Sequence, residues 1–337
     1  MRPLLHPRLI NGPFGDPVLL ISFLFENRSI LFDLGDISSL SSKDILKTSH
    51  VFVSHTHMDH FSGFDRLLRL FLGRNKTLYL YGPEGIIQNV EGKLAGYTWN
   101  LVDHYKNSFS LIIIEIHSDR SFSRSYFCQN RFSSDEPIIE KPIQSVLVEG
   151  PSWTITAAIL DHGIPSLAFS IEERFHVNIR KDRIKDMGLE VGPWITAFKQ
   201  SLYSGKDPDS VFQVIIHNHP DLDKTYILGK LSQEIASISP GQKITYITDT
   251  LYSPENIEKI IDLAKKSDYL FIESAFLEAD RHIAGKKHHL TAWQAGTLAA
   301  MAQVSQFTTF HYSPRYKDQE ELLMAEAQMA YDELICQ

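Results

Sequence analysis

The segment HTHMDH, His55 to His60, carries three imidazoles and one carboxylate within six residues. It directly follows HVFVS (residues 50–54), whose β-branched residues predict a buried strand. Alternate residues of an extended segment point the same way, so His55 and His57 can hold one metal ion. Where the chain turns into the next predicted helix, Asp59 and His60 are directed toward a second ion.

Further candidate ligands lie at the ends of other predicted strands. WTITAAILDH ends in His162, KITYITD ends in Asp249 and QFTTFH ends in His311. Open α/β sheets gather their sites at one edge, outside the ends of their strands, so these side chains are expected to meet the HTHMDH segment.

The candidate ligands divide between two metal ions. Nitrogen and oxygen donors of this kind suit zinc, with manganese and iron as alternatives. Two such ions about 3.5–4 Å apart would activate a water for hydrolysis. Asp249 can bridge them, because a carboxylate has two oxygens. The predicted set is His55, His57 and His162 for one ion, and Asp59, His60 and His311 for the other.

Strands and helices alternate in both halves of the chain. Each half shows short apolar runs followed by segments with helical periodicity, which predicts an α/β protein built as a four-layer αββα sandwich. The stretch at about residues 172–242 is less regular and mixes charge, proline and glycine. We therefore expect a single domain over residues 1–337, with an inserted arm or subdomain at about 172–242.

Composition places the chain among ordinary globular proteins. It has 337 residues, 43% of them hydrophobic, and 33 Lys+Arg against 41 Asp+Glu give a net charge of −8. The longest apolar runs are strand-sized, and the first residues do not form a signal peptide, so we expect a cytoplasmic protein without a membrane span. With only Cys128 and Cys336, no disulfide framework carries the fold.

Several motifs, taken in order, resemble those of the metallo-β-lactamase fold. They are LFDLGD, SHTHMDH, LDHGIPSLAF, ITDT and TTFHYSPRY, and the match runs from Asp33 to Tyr316. More narrowly, the chain resembles the RNase Z branch, the tRNA 3′-processing endonucleases. That narrower resemblance rests on HLTAWQAG and HYSPRY, which are similar to the His-Ser-Thr and His-Ser-Arg-Tyr motifs of the branch.

The resemblance implies a role for particular residues. The seven candidate ligands would hold two zinc ions per chain, and Asp59 would also hold the attacking hydroxide. His289 would be the proton donor near the leaving oxygen, with the adjacent His288 as the competing candidate. Arg315 would hold a phosphate oxygen. Asp33 would accept hydrogen bonds that brace the segment HTHMDH, residues 55–60, which we call the metal loop.

The resemblance also implies an arm that contacts the substrate. RNase Z enzymes carry a protruding arm with a Gly-Pro segment that binds the tRNA elbow, and VGPWITAFKQSLYSG contains Gly192-Pro193 in the corresponding place. The basic run from Arg180 to Lys185 lies just upstream and could contact phosphates. Family analogy further implies a homodimer. At Tyr246 the chain departs from members that have a glutamate orienting the catalytic histidine, and the segment Ser118–Pro142 has no assigned role.

The sequence and the resemblance are compatible with two functions. The first is a zinc-dependent phosphodiesterase resembling RNase Z, an endoribonuclease that removes the 3′ trailer of precursor tRNA with a two-metal-activated water. The alternative is a hydrolase of the same fold acting on a small ester or cyclic phosphodiester. A binding protein without catalysis is disfavoured, because all seven candidate ligands and a candidate acid are present together.

Overall fold

A computed structural model describes residues 4–24, 26–215 and 223–336. The chain divides into two compact units. The larger unit comprises Leu5–Leu147, Thr156–Ser170 and Lys243–Gln337, and the smaller comprises Met1–Leu4, Val148–Ile155 and Ile171–Gln242. The expectation of one domain with an arm at residues 172–242 stays a prediction.

The strands are short and follow the apolar runs of the sequence. In the first part of the chain they are β1 (Leu5–Leu9), β2 (Leu19–Phe23), β3 (Ser29–Phe32), β4 (Thr48–Phe52), β5 (Lys76–Pro83), β6 (Phe109–Ile116), β7 (Arg120–Phe127), β8 (Ile139–Pro142) and β9 (Val146–Glu149). The later strands are β10 (Trp153–Asp161), β11 (Pro165–Glu173), β12 (Phe175–Ile179), β13 (Val211–Val214), β14 (Lys224–Ile227), β15 (Ala236–Pro240), β16 (Lys243–Ile247), β17 (Tyr269–Glu273) and β18 (Gln306–Phe310).

Two large sheets contain most of these strands. The first has the order β1-β2-β3-β4-β5-β6-β7-β8, and the second has the order β18-β17-β16-β11-β10-β9. Strands β3 to β6 run parallel to one another, as do β16 to β18. The carboxyl ends of each parallel set therefore meet at one edge of its sheet. The segment Ser118–Pro142, which had no assigned role, supplies β7 and β8 to the first sheet.

The described residues form eleven α-helices. They are α1 (Ser42–Lys47), α2 (Met58–Phe61), α3 (Phe64–Phe71), α4 (Ile86–Ala95), α5 (Lys181–Asp186), α6 (Trp194–Tyr203), α7 (Leu228–Ile235), α8 (Pro254–Ala264), α9 (Arg281–Lys287), α10 (Ala292–Met301) and α11 (Glu320–Ile335). Among them, none combines the length and the apolar character that crossing a membrane would require.

The core of the larger unit lies in three apolar layers. Helices α3 and α4 pack against the first sheet through residues such as Phe64 and Val90. Helices α8 and α10 cover the second sheet through residues such as Ile260 and Leu298. Between the sheets, the ring of Phe32 stacks at 5.5 Å on Phe169 and at 5.8 Å on Tyr246. Each such buried aromatic contributes about 1.5–3 kcal/mol. The predicted four-layer αββα arrangement is confirmed.

The smaller unit has a core of its own. Its strands form two antiparallel pairs, β12 with β15 and β13 with β14. Helices α5, α6 and α7 supply the buried side chains of Ile184, Trp194 and Leu231. Gly192-Pro193 stands immediately before α6, and the indole nitrogen of Trp194 donates to the carbonyl of Glu190 at 2.9 Å. The basic run predicted to contact phosphates lies in α5, except for Arg180, which precedes the helix.

Candidate metal centre

The predicted ligands are brought together at one edge of the larger unit. His55 follows β4, and α2 carries Asp59 and His60. His162, Asp249 and His311 follow strands β10, β16 and β18. The parallel strands β16 to β18 bring their carboxyl ends to one edge of the second sheet. His55 follows a strand of the first sheet, 256 positions before His311, and lies 3.7 Å from Asp249 at that edge.

One group of donors surrounds the side chain of His55. Its members are His55, His57, His162 and Asp249, and their donor atoms all lie within 4.8 Å of one another. The Nε2 atom of His55 lies 2.9 Å from Nδ1 of His57 and 3.7 Å from Oδ2 of Asp249. The Nε2 atom of His162 lies 3.5 Å from the same oxygen. This is the group predicted for the first ion.

A second group consists of Asp59, His60 and His311. The Nε2 atom of His311 lies 3.2 Å from Oδ2 of Asp59, and Nε2 of His60 lies 3.5 Å from that oxygen. Asp249 faces this group with Oδ1, at 3.5 Å from His60 Nε2 and 2.9 Å from His311 Nδ1. Asp249 thus presents one oxygen to each group, as a bridging carboxylate would.

The histidines are oriented by hydrogen bonds on the side away from the site. His60 uses Nδ1 to contact Asp33, and His162 uses Nδ1 to contact the carbonyl of His288 at 2.8 Å. His55 contacts the hydroxyl of Ser54 at 3.0 Å through Nδ1. In all three rings Nε2 is left facing the site, which is how metal-binding histidines are usually held.

The donor set fits a divalent metal ion. Among the described residues, His60 Nε2 and His311 Nδ1 are buried without a hydrogen-bond partner. Both nitrogens face Oδ1 of Asp249, at 3.5 Å from His60 and 2.9 Å from His311, without the geometry of a hydrogen bond. Buried polar atoms are almost always satisfied, so this arrangement suits atoms that share a bound ion. Imidazole nitrogens converging with shared carboxylate oxygens are ligands that divalent transition metals prefer.

Burial and charge set the protonation of the donors. Burial lowers the pKa of His55 to about 2, so that imidazole is neutral and able to bind a metal. For His60 burial acts in the same direction, but the carboxylates of Asp249 and Asp33 outweigh it and raise the pKa to about 10. Burial would raise the pKa of Asp249, yet His311 and His60 hold it well below its usual range.

Asp33 holds the metal loop in place. Its fully buried carboxylate accepts hydrogen bonds from the amide of Ser54 at 2.6 Å, the hydroxyl of Ser54 at 2.9 Å and Nδ1 of His60 at 2.9 Å. The hydroxyl of Tyr246 donates to it at 2.8 Å. These contacts match the bracing role expected of Asp33. They also show that Tyr246 hydrogen-bonds to the same carboxylate as His60.

Two glycines allow the neighbouring loop to approach α2. A side chain at Gly35 would collide with the carbonyl of Asp59, and one at Gly63 would collide with the carbonyl of Gly35. Gly63 has φ −70°, which any residue adopts, so the lack of space and not the backbone angle requires glycine there.

His289 is oriented by a residue that sequence reasoning missed. The Nδ1 atom of His289 lies 2.9 Å from Oε2 of Glu273, the last residue of β17. The other oxygen of Glu273 accepts from the amide of Thr250 at 2.8 Å, which fixes the carboxylate. His289 Nδ1 also lies 3.9 Å from Asp249. Because Glu273 ends a strand of the same parallel set as Asp249, its position at the edge was the available signal.

The competing histidine has a different environment. His288 ends α9 with φ +59°, and its ring lies against Gly163, about 3.5 Å from where a side chain there would begin. Its carbonyl accepts the hydrogen bond from His162. The structure thus brings His289 to Asp249, while His288 contributes its backbone to the site.

Arg315 lies in a short 3₁₀ helix, Pro314–Tyr316, after β18. Its guanidinium contacts Oδ2 of Asp280 at 3.2 Å, and half of its side chain is exposed. The hydroxyl of Tyr316 donates to the same carboxylate oxygen. Arg315 is therefore held by Asp280, and its predicted contact with phosphate stays a prediction.

Two solved structures are similar to this chain over most of its length. The metallo-β-lactamase fold protein YhfI from Bacillus subtilis matches with a TM-score of 0.54 and 17% identity, covering 97% of this chain and 94% of that one. The short form of human tRNase Z matches with a TM-score of 0.51 and 15% identity, covering 92% and 91%. The chain has the metallo-β-lactamase fold.

Sequence comparison gives a more specific resemblance than the fold alone. No protein-family model matches the chain. Ribonuclease Z of Deinococcus radiodurans is 27% identical over 304 residues, which is 88% of this chain and 86% of that protein. The chain therefore resembles ribonuclease Z over most of its length, as the motifs indicated.

Proposed function

We propose that the chain is a metal-dependent endoribonuclease that hydrolyses a phosphodiester bond of precursor tRNA and so removes the 3′ trailer. The observation that carries this proposal is the pair of donor groups sharing Asp249, one on each of its oxygens. Likeness to ribonuclease Z over most of both chains supports the choice of substrate.

The two donor groups would each hold one zinc ion, with manganese or iron as alternatives. His55, His57 and His162 would bind the first ion, and the group of Asp59, His60 and His311 would bind the second. Bound metal would supply Lewis-acid activation of water and of the phosphoryl oxygens. Asp59 is the acidic ligand most open to solvent, with 42% of its side chain exposed, so it would accept a hydrogen bond from the attacking water.

His289 would give a proton to the leaving oxygen. Burial lowers its pKa, but the carboxylate of Glu273 raises it above the usual value overall. This shift favours the protonated imidazole, which is the form that a general acid needs. Because Nδ1 is held by Glu273, Nε2 is the nitrogen left to face the substrate.

Substrate contacts would come from two further places. Arg315 would bind a phosphate oxygen after exchanging its contact with Asp280, since guanidinium pairs well with phosphate. In the smaller unit, Gly192-Pro193 and the exposed side chains of Lys181, Arg183 and Lys185 would contact the tRNA. A homodimer and a cytoplasmic location stay predictions.

One feature favours the alternative, a small ester or cyclic phosphodiester as substrate. Arg315 is paired with Asp280, so the phosphate contact expected of RNase Z is not preformed. A substrate with a single phosphodiester would need fewer such contacts than a tRNA.

The decisive experiment compares two substrates on zinc-loaded protein. Precursor tRNA should be cut at the 3′ trailer with a kcat/KM well above that for bis(p-nitrophenyl) phosphate. Asp59→Ala should abolish both activities while the protein stays folded, and Asp262→Ala, an exposed carboxylate on α8, should change neither. Hydrolysis of the small diester without trailer removal would favour the alternative. Near-normal turnover by Asp59→Ala would remove the proposed site.

A further experiment tests the basic run. Replacing Lys181, Arg183 and Lys185 together by glutamine should raise the KM for precursor tRNA and leave the small diester unaffected. All three side chains are exposed, so the substitution should spare the core of the smaller unit. An unchanged KM for tRNA would show that α5 does not contact the substrate.

A further inference from the structure

A groove with arginines and aromatic rings lies on the larger unit, outside the donor groups. It has a volume of about 520 Å³ and runs between α3 and the segment after α4. Two arginines, Arg66 and Arg69, line one wall, and Tyr97 and Trp99 line the other. We call it the arginine groove. The apolar side chains of Leu68 and Leu72 also line it.

The arginines of the groove are available to a ligand. Arg66 and Arg69 are three residues apart on α3, so they lie on the same face of the helix, and both are exposed. Within the described part of the chain, Arg69 has no ion pair or hydrogen bond. Arg66 makes a 3.5 Å contact with the carbonyl of Ser38 and helps to lower the pKa of the nearby Asp36 carboxyl. The one acidic residue lining the groove, Asp65, lies 3.3 Å from Lys93. The Asp65 carboxylate also faces Tyr97 and helps to raise the pKa of that phenol, so the positive charge that stays unpaired in the groove is that of Arg69.

The aromatic wall is rigid and partly open. Trp99 packs edge-on against Phe132 at 4.7 Å, and its indole nitrogen donates to the carbonyl of Leu94 at 2.8 Å. Tyr97 lies 5.7 Å from Trp99 and is 46% exposed. A fixed indole thus supports an exposed phenol ring on which a planar group can stack.

The groove is close to the metal centre along the chain. Asp59 and Arg69 are ten residues apart in a stretch formed by α2, two residues in helical conformation and α3. Helical backbone rises about 1.5 Å per residue, so their Cα atoms are at most about 15 Å apart. A strand of nucleic acid leaving the centre could span that distance.

We propose that the arginine groove binds single-stranded RNA, the 3′ trailer of the substrate, with a phosphate on the arginines and a base on Tyr97. Free guanidinium groups beside an exposed aromatic ring are the usual means by which proteins hold unpaired nucleotides. The trailer is the part of a precursor tRNA that has no pairing partner. The identity of the RNA rests on the proposed function, whereas the chemistry of the groove does not.

The binding test uses the full chain and a short labelled single-stranded oligoribonucleotide, followed by fluorescence anisotropy. Tyr97→Ala should weaken binding about fivefold or more, the lower end of what stacking on one base is worth. Tyr97→Phe keeps the ring and should bind like the wild type. Arg69→Gln should reduce the slope of log K against log salt by about 0.7, the value for one phosphate contact to a single strand. Arg74→Gln, an exposed arginine outside the groove, is the matched control.

Cleavage separates this inference from the proposed function. On precursor tRNA with a long trailer, Arg69→Gln and Tyr97→Ala should raise KM, and with a single-nucleotide trailer they should not. If both variants cleave both substrates normally and bind the oligonucleotide like the wild type, the groove does not bind RNA. The proposed function would not be affected by that result. Loss of oligonucleotide binding in a protein that does not cut precursor tRNA would support the groove and refute the function. Equal binding of polyglutamate, with the same sensitivity to Tyr97→Ala, would assign the groove to acidic peptides instead.

Discussion

Removing the carboxylate of Asp33 should destabilise the protein even without metal. Asp33→Ala leaves four buried groups without their acceptor: the amide and the hydroxyl of Ser54, the hydroxyl of Tyr246 and the imidazole of His60. Each buried group left unsatisfied costs about 1–3 kcal/mol, so we expect a loss of about 4 kcal/mol or more in the free energy of unfolding. Asp33 also has φ +59°, which alanine adopts less readily. Urea unfolding followed by circular dichroism, with a chelator present, would measure the change.

Two matched variants separate the effect of the positive φ from the effect of the lost hydrogen bonds. Asp33→Asn tolerates the positive φ and keeps one acceptor oxygen, so it should lose clearly less than Asp33→Ala. Tyr246→Phe removes one hydrogen bond and should cost about 1 kcal/mol. If the free energy of unfolding of Asp33→Ala lies within about 1 kcal/mol of the wild-type value, the carboxylate does not brace the site as its hydrogen bonds suggest.

Three other predictions concern the donors and the acid. Glu273→Gln should lower kcat on precursor tRNA about tenfold or more, as expected when a general acid is misplaced. It should lower kcat on bis(p-nitrophenyl) phosphate less, because the leaving group of that substrate needs no proton. Equal losses on both substrates would contradict a proton-donating role for His289. The carboxylates of Asp249 and Asp33 raise the pKa of His60 to about 10, so their pairing with His60 stabilises the metal-free protein below about pH 6.5. This stability is lost as the pH rises toward 10. Metal must displace that proton, so binding at pH 7 should release protons, measurable by calorimetry in buffers of different ionisation enthalpy, and His60→Gln should release fewer. Chelation should lower the thermal midpoint reversibly, because bound metal stabilises only the folded chain, and an unchanged midpoint would show that no metal is held.

The donor groups could be proposed from the sequence because their signals are local. HTHMDH concentrates four ligands within six residues, and the remaining three stand at the ends of readily recognised strands. The rule that parallel strands share an edge then brings Asp249 and His311, which follow β16 and β18, to the same place. The position of His162, which follows β10, is shown by its contact with Asp249.

The residues that orient the ligands could not be predicted in this way. Glu273 ends β17 as any polar residue can end a strand, and only the three-dimensional contact with His289 shows its part. Tyr246 and Asp33 are 213 residues apart, and no local pattern links a buried phenol to a distant carboxylate. Hydrogen bonds of this kind depend on the packing of one sheet against the other.

Boundaries of the elements were harder to predict than their existence. The sequence PEGIIQNVEGKLAGY, residues 83–97, has the leading proline that is typical of a helix start, but α4 begins at Ile86 and Pro83 is the last residue of β5. The turn between them requires φ +91° at Gly85, which favours glycine. The pairing of Pro83 with Ile116 extends β5 into residues that look like a helix start.

The chemistry and the choice of substrate have separate physical origins in this chain. Every donor of both groups, together with Glu273 and His289, belongs to the larger unit, so hydrolysis of an activated diester should need nothing from the smaller unit. A tRNA offers many phosphates, and its binding should grow with each positive contact outside the centre. The activity on precursor tRNA should therefore fall with added salt much more steeply than the activity on bis(p-nitrophenyl) phosphate. An equal dependence on salt for both substrates would mean that no basic surface of the chain contributes to selecting RNA.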